Sequence, residues 1–187
     1  MEHDKEKWQL YGQNGAAVVG QSYDTKVNPP EGAKEYVAAS DVWLYRRTES
    51  GVELLFQKRS HYVDRNPDLW DVSTCGHVNF GETPVLAAER EAREEIGAKI
   101  NKDRLEYVFS VLSTNGSNIV NHYFLYDYTG EDDDFAFNDR EVSEVRWVPF
   151  EQFDEFIEKF AKPPLKNAKF ARELTKLFIS RVCRGEK

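Results

Sequence analysis

A layered α/β or α+β sandwich, with a mixed β-sheet flanked by helices, is the fold class this sequence predicts. Three observations predict it. Strand-like runs lie both before and after a strongly periodic helix, so the layers alternate. The 187 residues favour one domain with terminal extensions. No internal repeat divides them.

Residues 1–34 read as an irregular N-terminal arm, punctuated by Gly12, Gly15, Gly20, Pro29, Pro30 and Gly32, with short strands around Trp8–Tyr11 and Ala16–Val19. A domain is expected over 35–160. Within it, Tyr36–Arg46 and Val52–Lys58 are rich in β-branched, aromatic and aliphatic residues, and Glu49-Ser50-Gly51 between them predicts a hairpin. Trp70–Val78 reads as a strand. Leu105–Ser113 and Ile119–Tyr128 predict a second hairpin around Asn115-Gly116, and Glu144–Val148 is the final strand. Thr83 as N-cap, Pro84 at the first position and Gly97 as the stop frame a helix whose buried stripe is Val85, Ala88, Ala92 and Ile96. Phe150–Phe160 is a second helix, stopped by Pro163-Pro164. In the C-terminal segment, 161–187, Ala168–Val182 is expected to pack on the domain through Phe170, Leu174, Leu177 and Phe178.

Bulk properties exclude several classes. No stretch approaches the roughly 20 apolar residues that cross a bilayer, and the charged start Met1–Lys7 is unlike a secretory leader. Cys75 and Cys183 are too few for a disulfide framework, which fits a reducing cytoplasm. The net charge of −8 argues against a nucleic-acid polymer as partner. An acidic protein that handles phosphates needs a divalent cation to reverse the local field.

The first helix carries the chemistry. Glu91, Glu94 and Glu95 are three and four apart and share one face. Like charges at that spacing cost a few tenths of a kcal/mol per pair in an isolated helix. Arg90 and Arg93 relieve part of this, whereas Glu91 with Glu95 remains an unrelieved pair. Such a face is either a solvated Glu/Arg surface or a site for a hard cation, which takes oxygen ligands and retains waters.

Context separates the two. Glu82 follows Gly76 after five residues, Arg90-Glu91 follows after seven more, and Glu94-Glu95 and Gly97 complete the run. This resembles the Nudix hydrolase signature, G-x5-E-x7-R-E-U-x-E-E-x-G-U, at all seven fixed positions. With residue frequencies of roughly 6–7%, a chance match is roughly one in a million. Ala92 and Ala98 stand where the signature has bulky aliphatic residues. The resemblance runs from the Tyr36–Lys58 hairpin to the Arg146–Pro149 segment and implies a Nudix-type sandwich whose loop and helix hold the metal.

It further implies Mg2+ as cofactor, with Mn2+ as a substitute, and hydrolysis of a diphosphate linkage in a nucleoside-diphosphate-type or other X-linked diphosphate. Glu91 and Glu95 are the implied metal ligands. Glu94 would ligate a second ion or hold its water, and Arg90 would orient a helix carboxylate. Catalytic roles fall to Glu94, Glu95 and Arg90, and the base among the glutamates stays open. Glu82 either ligates metal or pairs with an arginine. Lys58, Arg59 and Arg65 are candidates for phosphate oxygens, Glu141 or Glu144 for a further carboxylate, and Trp43, Tyr62 and Trp70 for stacking or core. The run Glu131–Asp134 reads as a solvated loop.

A rival reading lies within the same fold. Ser73-Thr74-Cys75-Gly76-His77 also resembles type I isopentenyl-diphosphate isomerases, which carry a catalytic cysteine and a metal-binding histidine there. Their further histidines have no counterpart in Glu35–Tyr45, and Asn118–Tyr123 contains no carboxylate for proton transfer. A complete hydrolytic box outweighs half an isomerase site. Cys75 then reads as a small, partly buried residue and His77 as a hydrogen-bonding one. The third class is a non-catalytic nucleotide-binding module. A lost box glutamate would favour it, and none is lost.

Overall fold

The structure is a computed structural model that describes residues 7–23, 32–113, 118–130, 134–137 and 140–186. The Asn115-Gly116 turn and Glu131–Asp133 lie outside the described residues. The elements, in order, are β1 (Trp8–Tyr11), β2 (Ala17–Tyr23), β3 (Tyr36–Thr48), β4 (Gly51–Arg59), β5 (Trp70–Asp71), β6 (Thr74–His77) and α1 (Pro84–Ile96). Then come β7 (Glu106–Ser113), β8 (Ile119–Asp127), β9 (Val142–Pro149), α2 (Phe153–Phe160), α3 (Pro163–Asn167) and α4 (Lys169–Cys183). The expected mixed sheet with flanking helices is what the chain forms.

The long strand β3 organises the sheet. Along one edge it pairs in parallel with β8, from Val37↔Ile119 to Tyr45↔Asp127, and β8 pairs antiparallel with β7. Along the other edge it has three successive antiparallel partners: β1 at Tyr36–Val37, β6 at Ala39–Val42 and β4 at Tyr45–Thr48. Beyond Tyr45 and Leu54 the two strands of the β3–β4 hairpin diverge, and β4 goes on to pair with β9 and β5. Ser73 holds the fork: its hydroxyl donates to Leu55 O (2.6 Å) and accepts from Leu44 N (2.8 Å). Helices cover both faces of β3, so Val37–Tyr45 is buried without a break.

Alternation along the strands divides the core. Trp43, Leu54 and Phe56 pack with Phe153, Phe156, Ile157 and Ile179 on the α2/α4 side. Val42, Leu44, Leu55 and Phe124 pack with Ala88, Ala92 and Ile96 on the α1 side.

Four details correct the sequence expectation. Trp70–Val78 is two short strands rather than one, because the turn at Val72-Ser73 serves the fork. The helix expected from Phe150 begins at Phe153, after a 3-10 turn over Phe150–Gln152. Pro163 and Pro164 open α3 rather than merely stop α2, since proline suits a first helical turn. Finally, α4 buries Ala171, Arg172, Thr175, Ile179 and Val182; of the expected contacts Phe178 packs against the core, while Phe170 and Leu177 stay 66% and 57% exposed. The helix is rotated from its most apolar stripe because Arg172 donates to Asp154 (3.0 Å) and Glu158 (2.6 Å) of α2, and Arg47 Nη1 caps Val182 O (2.7 Å).

Candidate active site

Two glycines shape the site. A Cβ at Gly76 would lie 1.9 Å from Glu91 Oε1, so only glycine lets the Glu91 carboxylate rest against β6. Gly97 ends α1 in the left-handed region at φ 70°, and a Cβ there would meet the Ala136 backbone N at 2.8 Å. Thr83 caps the other end, accepting from Leu86 N (3.4 Å). The small residues Ala88, Ala92 and Ala98 are buried, so α1 and its exit settle close upon the sheet.

Arg90 is the hub of the box. Its Nε and Nη2 donate to the two Glu82 oxygens (both 3.0 Å), Nη1 to Glu91 Oε1 (2.6 Å) and Glu94 Oε2 (3.1 Å), and Nη2 to His77 O (2.9 Å). Glu82 Oε2 also accepts from Asn79 N (3.0 Å), so Glu82 is engaged in holding the loop. Glu95 is 3% exposed, and its Oε2 accepts from Cys75 N (3.0 Å) and Gln57 Nε2 (3.2 Å) at the fork. Burial raises the Glu91 carboxyl to about 7, against the pull of Arg90. Burial raises Glu95 well above the usual carboxylate range, and the nearby Glu91 adds to this.

These residues suit a hard divalent cation. Two under-compensated carboxylates adjoin, and the buried Gln57 Oε1 has no hydrogen-bond partner. All the donors are oxygen. Among the described residues, no three acidic, histidine or cysteine side chains already converge as a ligand set. Arg90 draws Glu91 and Glu94 to itself, and Glu94 remains half-exposed.

The other candidates separate. Gln57 and Arg59 share the strand face toward α1, so Lys58 projects to the opposite face, where it lies 3.9 Å from Glu144. The structure therefore does not bring Lys58 to the box. Arg59 Nε donates to Arg65 O (3.0 Å), and burial, helped by the Arg65 charge, depresses His77 to about 4, so Arg65 lies near the box loop with Arg59 bonded to its backbone. Glu141 lies close enough for its charge to raise Glu91, and Ser60 N donates to its carbonyl (2.7 Å). Glu144 pairs with Arg146 (2.8 Å). Trp43 and Trp70 are core residues, whereas Tyr62 is exposed.

A buried polar cluster on the other side of β6 escaped the sequence reading. Cys75 Sγ donates to Asp71 Oδ2 (3.6 Å), Lys162 Nζ pairs with the same Asp71 carboxylate, and the Tyr123 side chain hydrogen-bonds Asp41. Cys75 thus serves both sides, its backbone holding Glu95 and its thiol facing Asp71. Burial pushes that thiol far up, so it stays protonated. Asp41, a lone charge inside the apolar run of β3, was the visible signal. Lys162 carried none, being far away in sequence.

The NUDIX domain family profile matches residues 35–177. Nudix hydrolase 3 of Arabidopsis thaliana is 34% identical over 148 residues, which are 72% of this chain and 19% of that protein. An isopentenyl-diphosphate Delta-isomerase of Dinoroseobacter shibae is 32% identical over 105 residues, 52% of this chain and 57% of that protein. The match thus spans less than two thirds of either relative. The crystal structure of DR0079 from Deinococcus radiodurans shares the fold, with a TM-score of 0.65 at 24% identity over 90% of this chain and 99% of that one. The chain belongs to the Nudix hydrolase family.

Proposed function

We propose that the protein hydrolyses a diphosphate linkage in a nucleoside-diphosphate-type or other X-linked diphosphate, with Mg2+ as cofactor. One observation carries the reading: Glu91 and Glu95 lie together at the sheet fork, partly neutralised at most, with Arg90 holding the flanking carboxylates. Glu91 and Glu95 would hold the cation, and Glu94 a second ion or its water. The cation supplies charge neutralisation on the phosphoryl oxygens and activation of water. Gln57 and Cys75 N fix the Glu95 carboxylate, Arg90 orients Glu91 and Glu94, and Arg59 and Arg65 take substrate phosphate.

The test is a panel of nucleotide sugars, dinucleoside polyphosphates, nucleoside triphosphates and prenyl diphosphates, each assayed with Mg2+ and with chelator. Phosphate-type products that require the metal support hydrolysis. Glu95→Gln should lower turnover by orders of magnitude while the protein stays folded, and an unchanged rate sinks the assignment.

The isomerase-named relative and the cluster beside Cys75 support a second reading, isomerisation of a prenyl diphosphate. Asp41 and Tyr123 sit beside the thiol and would serve proton transfer. His77 weighs against it: the ring stacks face to face on Trp8, at 3.7 Å and 4°. Cys75→Ala separates the two, since hydrolysis survives it and isomerisation does not.

A further inference from the structure

The family profile begins at residue 35, yet a strand that pairs with the box loop comes from residues 8–11. The start of strand β1 is stitched to that loop, while Leu10 and Tyr11 pair with β3. Gln9 N donates to Val78 O (2.9 Å) and Phe80 N to Lys7 O (2.8 Å). Trp8 is paired with Asn79 as an isolated bridge. Two side chains add contacts of their own. The Trp8 indole covers the His77 ring in the parallel stack already described. The buried Gln9 amide accepts from Gly81 N through Oε1 (3.1 Å), while its Nε2 donates to Leu10 O (2.9 Å) and Val18 O (3.2 Å), which fixes its orientation.

The residues so held are those that set Arg90. The His77 carbonyl accepts from Arg90 Nη2, and Glu82 grips the same guanidinium with both oxygens while accepting from Asn79 N. A contiguous path therefore runs from β1, through the loop at 77–82, to Arg90 and on to Glu91 and Glu94. A guanidinium that must meet three carboxylates and a carbonyl tolerates little displacement of any of them. Groups one step removed from metal ligands control ligand orientation, and their loss costs metal affinity.

We propose that Trp8 and Gln9 are positioning residues of the active site: they hold the 77–82 loop so that Arg90 keeps Glu91 and Glu94 oriented for a divalent cation. The inference rests on the metal-dependent reading of the box. Its test reads metal binding by the full chain directly, through the electron paramagnetic resonance signal of free Mn2+, with thermal unfolding recorded on each variant. Trp8→Ala and Gln9→Ala should each weaken Mn2+ binding about tenfold, and Trp8→Phe, which keeps a stacking ring, should restore it. Ile179→Val, in the core on the α4 side, lowers the unfolding midpoint and leaves Mn2+ binding unchanged, so loss of stability alone does not imitate the effect. Should Trp8→Ala not fold, Gln9→Ala carries the test. Mn2+ binding at the wild-type level in the folded alanine variants overturns the inference. A wild-type chain that binds no Mn2+ overturns instead the metal reading on which it stands.

Discussion

At the scale of single residues, the box positions earn their identities in different ways. Gly76 is glycine because a carboxylate occupies the place of its side chain. Gly76→Ala should displace Glu91 and reduce turnover at least tenfold, and a steady-state assay beside a thermal melt checks it. Arg90 needs its planar fork, since one guanidinium serves Glu82, Glu91, Glu94 and a carbonyl. Lysine retains the charge but spans none of that geometry. Arg90→Lys should therefore lower turnover and Mg2+ affinity by about 10–100-fold, and a metal titration that matches wild type would refute the hub role. Glu91 at Arg90, the next residue in the chain, does not follow from helical spacing, and the contact corrects the expectation that Glu91 lacks a relieving partner. Glu94 at Arg90, four residues on, does follow from it. Glu95 at Gln57 and Cys75 does not, because those partners sit on separate strands.

Among the elements, α1 was read almost completely from its own residues: cap, stop and buried stripe recur in the structure. Those signals are local, acting within one turn of the residue that carries them. Gly97→Ala should cost at least about 1–2 kcal/mol from its left-handed backbone alone, and the Ala136 contact adds to it; a chemical melt measures the loss. Helix α4 shows the converse. Its strongest apolar stripe is not the buried one, because the Arg172 links to Asp154 and Glu158 turn the helix. A charge-assisted hydrogen bond contributes about 1.5–3 kcal/mol, comparable with burying one large apolar side chain. Arg172→Ala should destabilise the fold by about 2 kcal/mol; an unchanged unfolding midpoint would discount this account of the rotation.

Across the whole molecule, the fork between β3 and β4 concentrates buried charge. Burial, with the nearby Asp71 adding and Lys162 opposing, raises Asp41 to about 7 from an ordinary 3.8. The folded chain therefore binds a proton at Asp41 that the unfolded chain releases at lower pH. Asp41 is no burden below about pH 4. It costs stability progressively as the pH rises to about 7, and the cost levels off above that, at about 4 kcal/mol as an upper bound. Asp41→Asn removes the titration, so its unfolding midpoint should exceed wild type at pH 8 and converge on it near pH 4. A gap that is constant with pH refutes the assignment.

The sequence by itself determined the sandwich, the run of strands, the framed helix and the three carboxylates along it, because alternation, helical periodicity and capping are written in neighbouring residues. Only the tertiary structure decided which face α4 buries, that Lys58 turns away from the box, that Gln57 and Cys75 hold Glu95, and that Lys162 joins Asp71 beneath Cys75. It also decided that the N-terminal strand braces the loop on which Arg90 depends. These are contacts between residues distant in the chain. Their partners are chosen by packing and by the need to pair buried polar groups, and no local pattern encodes that choice.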